Sequence, residues 1–198
     1  MILDVFQIPQ LLREELIEFQ MKRDRYPLSE LDNYREQLQG HIGVYFLYYR
    51  GDYFLYEKVS RTDPIYIGKA ETPGKRTGKS SWNGGLTGRL REHRKSIRQA
   101  DNLDVNDFDF VVVIMTEDLV AWGEAVMIRY FRPLWCMVIS GFGIHDPGKG
   151  RQAQMRSVWD RLHPGRSFSL PLPPNPVTIE SIKFLIDEHY HYLHHRLI

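Results

Sequence analysis

The spacing of apolar residues changes along the chain and predicts where helices and strands lie. In the opening segment LLREELIEFQMKRDRY, Leu12, Leu16 and Phe19 recur at i, i+4 and i+7, which predicts a helix with one apolar stripe. Residues 43–56, GVYFLYYRGDYFLY, carry aromatic and aliphatic runs on both sides of an Arg-Gly-Asp sequence, which predicts a β-hairpin. Residues 64–68, PIYIG, predict a further short strand.

The middle of the chain continues with clear helix and strand patterns. In LTGRLREHRKSIRQ, the apolar residues Leu86, Leu90 and Ile97 lie on one side, which predicts a helix with basic outer faces. Residues 108–115, FDFVVVIM, are apolar and β-branched enough for a central strand. Thr116 then stands where it can cap the next helix, whose first turn is acidic.

The last third of the chain is divided by prolines. Arg132-Pro133 ends the helix that Thr116 begins. Residues 170–176, LPLPPNP, contain too much proline for helix or sheet, which predicts a semi-rigid linker to a final helix from about Thr178. The order helix, hairpin, strand, helix, strand, helix predicts an α+β fold, in which helices flank a small central sheet that is mixed or antiparallel.

Length and composition indicate one compact unit of 198 residues, 42% of them hydrophobic, which excludes disorder as the main state. We expect a helical extension over 1–40, a main domain over 41–168, and a linker with a terminal helix over 169–198. The lone Cys136 cannot form an internal disulfide, and no uncharged apolar run is long enough to cross a bilayer. We therefore expect a soluble cytoplasmic protein without a membrane partner.

The charge is nearly balanced overall and unevenly distributed. With 26 basic and 25 acidic residues the net charge is +1, which argues against a uniformly basic nucleic-acid binder. Residues 61–98, however, hold ten basic and three acidic residues, a balance of +7, whereas 101–118 hold six acidic residues and no Lys or Arg. This distribution predicts one cationic face, the alternative being a solvated surface with clustered charges.

Three side chains on the predicted helices are candidates for chemistry. Glu124 shares a helix face with the apolar Val120 and Ile128, and a carboxylate there needs a cation or a hydrogen-bond donor. An internal salt bridge to an arginine is the alternative to a catalytic role. Arg89 and His93 lie one turn apart and face the same way. Taken alone, His93 fits equally a satisfied core histidine.

Two tyrosines complete a family pattern. Tyr45 ends Gly-Val-Tyr and Tyr66 opens Tyr-Ile-Gly-Lys; Arg-x-x-x-His follows, and then a helix-borne glutamate and Arg-Pro-Leu-Trp. In this order the motifs resemble the GIY-YIG nuclease family over about residues 41–138. The resemblance implies that the main domain is a small three-stranded sheet with flanking helices, which uses a divalent metal to hydrolyse one phosphodiester bond per active site.

The long connection between the two tyrosine motifs indicates one branch of the family. Together with GFGIHDPGKGR and HPGR downstream, it is similar to the type II restriction endonucleases of this family that read CCGCGG, the SacII specificity, which extends the resemblance to about residue 166. This implies a prokaryotic homodimer acting on double-stranded DNA, because a palindrome presents two equivalent strands to a two-fold assembly. A companion DNA methyltransferase is expected genetically.

The family's roles transfer residue by residue. The resemblance implies that Glu124 is the single protein ligand of Mg²⁺, because Mg²⁺ keeps most of its waters and also binds a phosphate oxygen. Mn²⁺ can substitute for Mg²⁺. The planar guanidinium of Arg89 would bind the scissile phosphate through two N–H donors, and Lys69 would add positive charge near the site.

The tyrosines would position the attacking water and the phosphate. Tyr45 is the better candidate for general base, and because a free phenol has a pKa of about 10, it needs a nearby cation or a proton acceptor such as His93. Tyr66 is the second tyrosine that would position the water and the phosphate. One position departs from the family, which usually has asparagine where Cys136 stands. A thiol is a weak donor and a poor Mg²⁺ ligand, so another residue makes that contact or catalysis is slower.

Basic side chains outside this set are the candidates for DNA contact. Those in the loop 71–85 can engage phosphates, the alternative being an exposed flexible loop. A milder basic region downstream also includes Arg161 and Arg166, and any of its arginines is a candidate to read guanine. The predicted contacts are Lys75, Arg76, Lys79, Arg94, Lys149, Arg151 and Arg156. Two rival functions remain: a structure-specific repair or homing nuclease of the same family, and a DNA-binding protein whose nuclease site has decayed.

Overall fold

The computed structural model describes residues 8–72, 84–144 and 154–196. The strands are β1 Tyr26–Pro27, β2 Gly43–Tyr49, β3 Tyr66–Ala70 and β4 Phe108–Ile114. The α-helices are α1 Ile8–Met21, α2 Arg35–Leu38, α3 Gly85–Gln99, α4 Glu117–Phe131, α5 Leu134–Met137, α6 Val158–Leu162 and α7 Ile179–Arg196. Short 3-10 helices cover Leu28–Tyr34, Phe54–Tyr56 and Val105–Asp107.

The strands form one antiparallel sheet in the order β1-β4-β2-β3. In the centre of the sheet, Tyr45 on β2 lies opposite Gly68 on β3 and Val112 on β4. With helices packed on it, this sheet confirms the predicted α+β class, in its antiparallel form. The described strands number four, one more than the family resemblance implies, because the two-residue β1 adds an outer edge beside β4.

Every residue of β2 is buried, because both faces of the sheet are covered. Side chains alternate along a strand, so Tyr45, Leu47 and Tyr49 point to one face, where they join the larger core with α3, α5 and α7. The residues between them point to the opposite face, which α1 and α4 cover. Strand β3 forms one edge of this sheet. Side chains that point to the two opposite faces therefore come close to each other around β3.

The predicted second strand of the hairpin is wrong. After β2 the chain turns away, since the backbone N–H of Arg50 donates to the carbonyl of Asp107 at 2.8 Å and that of Tyr53 donates to the Tyr49 hydroxyl at 2.9 Å. Residues Phe54–Tyr56 then form a 3-10 helix that buries two of its three side chains in the larger core. Strand β3 pairs with β2 instead, so the second aromatic run of the predicted hairpin forms a buried turn and not a strand.

The first helix is confirmed, but its predicted apolar stripe is wrong at two of three positions, since of the stripe residues only Leu16 packs on the core. Leu12 and Phe19 are 48% and 46% exposed. The buried positions are Ile17 and Gln20, whose amide donates to the Tyr48 hydroxyl. The second half of α1 packs on the sheet. The residues that face the sheet there are buried, whether or not they belong to the most apolar side of the helix.

Helix α4 begins and ends where the sequence predicts. Thr116 is its N-cap residue, although its side chain makes no capping hydrogen bond, and its backbone carbonyl accepts from the N–H of Leu119 at 3.0 Å. Arg132 ends the helix in the left-handed conformation, with φ of 48°, directly before Pro133. Over the described residues, no helix combines the length and apolarity that a membrane crossing needs.

Candidate active site

The six predicted catalytic residues lie around the edge strand β3. Those on the larger-core face belong to β2, β3 and α3, and those on the opposite face belong to β3 and α4. The first group is Tyr45, Tyr66, Arg89 and His93. The second group is Lys69 and Glu124. The charge of Arg89 lowers the pKa of Tyr45 and that of Glu124 raises it, so residues of both groups lie near the Tyr45 hydroxyl.

At the centre of the site, Tyr45 and His93 form a hydrogen bond. The Tyr45 hydroxyl lies 2.7 Å from Nε2 of His93, and both side chains are buried. The imidazole stacks on Phe142, with ring centroids 4.5 Å apart and planes at 19°, and meets the ring of Tyr66 edge-on at 5.0 Å. His93 is thus held by aromatic rings with Nε2 aimed at Tyr45. When Nε2 carries no proton, the phenol donates to it.

Burial makes both tyrosines weak acids. It raises the pKa of Tyr45 to about 12, opposed by the positive charge of Arg89 and by hydrogen bonds to Arg89 and Tyr66. Burial also raises the pKa of Tyr66, to which the nearby Tyr45 and Cys136 add. Both phenols are therefore neutral at pH 7, and Tyr45 needs a partner to take its proton.

A glycine lets the Tyr45 hydroxyl reach the strand edge. Tyr45 pairs with Gly68 across β2 and β3, and a Cβ at Gly68 would overlap the Tyr45 hydroxyl and press on the ring of Tyr66. Only glycine leaves room for the phenol at this position. This gives the Tyr-Ile-Gly spacing its physical reason.

Arg89 extends towards the same hydroxyl from α3. Its Nη1 donates to Oε2 of Glu92 at 2.9 Å, and 27% of its side chain is exposed. Burial acts to lower the pKa of Arg89, but the oxygens of Tyr45 and Glu92 outweigh it, and the net pKa is raised. The guanidinium is therefore charged, partly exposed and close to both tyrosines, as a phosphate-binding group requires.

Glu124 lies on the other side of β3, where its cation partner is Lys69. Oε2 of Glu124 lies 3.6 Å from Nζ of Lys69, which also contacts Glu71 at 3.0 Å. The internal ion pair left open by the sequence is thus made with a lysine rather than an arginine. Burial raises the pKa of Glu124, and the charge of Lys69 opposes this.

The donor set around Glu124 fits one kind of metal ion. Among the residues the structure describes, no three His, Cys, Asp or Glu side chains come together as a metal cage. A single carboxylate, 24% exposed and already facing a cation, fits a divalent ion that keeps most of its waters. Glu124 as a metal ligand therefore stays a prediction that its surroundings allow.

Cys136 stands beside this site as a neutral thiol. Its Sγ donates to the carbonyl of Ile67 on β3 at 3.3 Å, and burial raises its pKa to about 12. The thiol holds the strand backbone and does not carry the charge that metal binding by sulfur requires. The departure from the family's asparagine thus removes an amide, while the thiol keeps a hydrogen bond to the β3 backbone.

Two of the seven predicted DNA contacts, Arg94 and Arg156, fall within the described residues. Arg94 is only 11% exposed and its Nη2 lies 2.9 Å from Oδ2 of Asp32; Arg156 donates through Nε to the carbonyl of Ser169 at 3.0 Å. DNA contact by these two arginines stays a prediction. The other five predicted contacts lie outside the described residues: Lys75, Arg76, Lys79, Lys149 and Arg151.

The suggestion that Arg166 reads guanine is wrong. Arg166 is fully buried and pairs with Asp160, so it cannot reach a base edge. Sequence reasoning also missed Phe142 and Gly143, which pack on His93 and Tyr66. The available signal was the Gly-Phe-Gly sequence, in which a large ring stands between two residues that allow close backbone approach.

An antiparallel sheet with one tyrosine on a central strand and one on the adjacent edge strand, and with an arginine, a histidine and a glutamate from flanking helices, is the arrangement that the GIY-YIG class of nucleases predicts. Residues 37–190, more than half of the chain, match the family described as the Eco29kI GIY-YIG domain, and the chain belongs to this family. A search of curated proteins gives no match. The family is a restriction-endonuclease family, so the protein is a nuclease of that type and its substrate is DNA.

Proposed function

We propose that the protein is a type II restriction endonuclease that cuts duplex DNA at a GC-rich palindrome, CCGCGG, in a metal-dependent reaction. The observation that carries the proposal is the Tyr45–His93 hydrogen bond, with Arg89 beside it and Glu124 across the strand edge. It supports the proposal because a proton acceptor, a cation able to bind phosphate and a carboxylate able to bind metal lie close together.

The chain's own residues account for the proton transfer. Tyr45 takes a proton from the attacking water while its own proton passes along the 2.7 Å hydrogen bond to Nε2 of His93. The water oxygen bonds to phosphorus as the bond to the leaving oxygen breaks, and the proton held on His93 is later returned to solvent or to that oxygen. Arg89 binds the phosphate and stabilises the charge that develops on it. Tyr66, buried beside both, restricts where the water lies. Mg²⁺ or Mn²⁺ at Glu124 supplies additional positive charge at the phosphate oxygens.

The assembly and setting belong to the same proposal. A palindrome presents two equivalent strands, so a homodimer with one site per strand is the simplest arrangement for a double-strand cut. A nuclease of this kind requires protection of the host DNA, which supports a companion methyltransferase of the same specificity in a prokaryotic cytoplasm.

The test is cleavage of mapped plasmid DNA by the purified chain in Mg²⁺ and in Mn²⁺. We expect discrete bands from cuts at CCGCGG. We expect Glu124→Gln to lower the cleavage rate by about 1,000-fold or more, because the substitution keeps the side-chain shape and removes the charge that binds metal. Glu117→Gln, an exposed change on the same helix, serves as the matched control and should cut normally.

Other results would point elsewhere. Cutting confined to branched DNA would support the repair or homing alternative, and binding without cutting in either metal would support a decayed site. Full activity of Glu124→Gln would reject the metal assignment itself.

A further inference from the structure

The segment Gly141 to Ile144 forms the wall behind the catalytic histidine. Phe142 is 1% exposed, and besides stacking on His93 it meets the ring of Tyr66 edge-on, with centroids 4.9 Å apart. The imidazole therefore lies between Phe142 and Tyr45. Where the ring of Phe142 sits decides where Nε2 of His93 points.

The backbone of the same segment passes close to two further residues assigned to catalysis. A Cβ at Gly143 would lie 2.7 Å from the Tyr66 hydroxyl and 3.8 Å from Nη2 of Arg89. The segment thus packs on His93 and Tyr66 and leaves little room for any side chain between itself and Arg89. It belongs to no helix or strand, so its position must be set by something outside its own backbone.

That position is set by one buried arginine. Arg166 is 0% exposed and uses all five of its N–H donors. Nε and Nη2 each donate to the Asp160 carboxylate at 2.7 Å. The three remaining donors reach backbone carbonyls, those of Gly141 at 2.9 Å, Phe142 at 2.9 Å and Ile144 at 3.3 Å. We name this arrangement of Arg166, Asp160 and the three carbonyls the arginine clamp.

Both charged groups of the arginine clamp are buried and hydrogen-bonded. Asp160, 3% exposed, also accepts from Oγ of Ser157 at 2.6 Å, and the guanidinium lies 4.5 Å from the ring centroid of Trp159. Lysine has three donors on one point and cannot span a carboxylate and three carbonyls. The geometry therefore requires arginine at this position, although Arg166 touches neither DNA nor a reacting atom.

We propose that Arg166 is a positioning residue of the nuclease site: through the clamp it holds Phe142 and Gly143, which in turn orient His93 towards Tyr45 and confine the Tyr66 hydroxyl. The inference rests on the proposed function for its catalytic consequence. Its structural part concerns the His93 ring and can be measured without DNA.

The first experiment compares Arg166→Lys with the unmodified chain. We expect kcat to fall about 10- to 100-fold with KM for DNA changed less than about twofold, because a small displacement affects proton transfer rather than binding. We expect the His93 ring signals in histidine-labelled NMR spectra to shift, while those of the remote His41 stay unchanged. Arg50→Lys is the matched control, since Arg50 pairs with Asp109 at 2.7 Å and holds the Asn106 carbonyl at the far end of β2.

A second variant decides the matter if Arg166→Lys does not fold. Phe142→Leu leaves every bond of the clamp in place and removes only the ring that stacks on His93. We expect the same loss of kcat. Unchanged kcat in either folded variant would overturn the proposal, as would an unmoved His93 spectrum in Arg166→Lys. An unmodified chain that cuts no DNA, while Arg166→Lys still shifts the His93 signals, would refute the proposed function and leave the positioning role standing.

Discussion

Tyr45 and His93 show how much of the site depends on single atoms. The hydrogen bond between them has a buried phenol with a pKa of about 12 at one end and an imidazole fixed by two aromatic rings at the other. Such a phenol cannot act as base by losing its proton to solvent at pH 7. In the proposed mechanism, direct transfer to His93 removes this difficulty, because Tyr45 gives up its proton within the pair and not to solvent.

This transfer has a pH signature. We expect the single-turnover cleavage rate of the unmodified chain to change by less than about tenfold between pH 7 and 9. In His93→Gln the phenol must ionise to solvent, and below a pKa of about 12 the phenolate fraction rises tenfold per pH unit, so log rate should rise with a slope of about one. Quench-flow rates across this range check both slopes. A slope of one in the unmodified chain would mean that His93 does not accept the proton.

At the residue scale, the motifs of the sequence pointed to six candidate catalytic residues, and the structure brings them together around β3. Their catalytic roles stay a prediction. Spacing did not reveal which cation faces Glu124, because Lys69 and Glu124 come from different elements on the face away from His93. Nor could it show that Arg166 is fully buried, since an arginine in a basic stretch is usually exposed.

At the scale of elements, a second buried histidine joins four segments. His163 follows α6; its Nε2 bonds the hydroxyl of Tyr56, and its Nδ1 lies 2.8 Å from Oδ1 of Asn102. Nε1 of Trp135 on α5 donates to the same Tyr56 hydroxyl at 2.8 Å. This network connects α5 and α6 with the 3-10 helix that sequence reasoning took for a strand.

The network makes stability depend on pH. Burial, assisted by the charge of Arg166, lowers the pKa of His163 to about 3, whereas an unfolded histidine titrates near 6.5. The unfolded state therefore binds the proton more tightly between these values. The stabilisation is complete above pH 6.5 and is lost as pH falls towards 3, by about 1.4 kcal/mol per pH unit.

Urea unfolding at pH 7.5, 5.5 and 4.5 measures this dependence. We expect His163→Gln, which keeps an amide for hydrogen bonding and cannot titrate, to unfold more easily at pH 7.5 and to show a flatter pH dependence. His41→Gln, a change at an exposed histidine, should keep the slope of the unmodified chain. Equal slopes in all three proteins would show that His163 does not carry the effect.

At the scale of the whole molecule, the terminal helix is part of the core. Ile182 and Ile186 of α7 are buried in the same cluster as Tyr45 and Trp135, although they lie beyond the proline-rich linker. The family match likewise runs to residue 190. Whether 1–40, 41–168 and 169–198 behave as separate units stays a prediction, but the core beneath the site includes side chains from α7.

Two neighbouring residues on α7 test this contribution. Ile186→Ala should lower the free energy of unfolding by about 2–4 kcal/mol, because it leaves a cavity in the core. Leu185→Ala, at a position 48% exposed, should change it by less than about 0.5 kcal/mol. Thermal unfolding of both variants, with DNA cleavage measured below the transition, checks the difference. Equal small effects would show that α7 is not needed for a stable core.

The net charge of +1 describes the whole molecule poorly, as the sequence already indicated. Within the described residues, several basic side chains of α3 have acidic partners, so the charge excess there is partly neutralised: Arg91 and Arg94 lie near Asp32, and Arg89 near Glu92. The predicted cationic face thus depends on how much of the basic segment remains unpaired, which charge counting along a chain cannot show.

By itself the sequence determined the α+β class, most helices and strands, and the motifs that mark the candidate catalytic residues, because periodicity and motif spacing are local properties of the chain. Tertiary structure alone decided that the second aromatic run is a 3-10 helix, that Lys69 faces Glu124, and that Arg166 holds the segment behind His93. These depend on which surfaces remain to be covered once the sheet has formed, and on contacts between residues far apart in the chain. Such contacts leave no regular pattern in a single sequence.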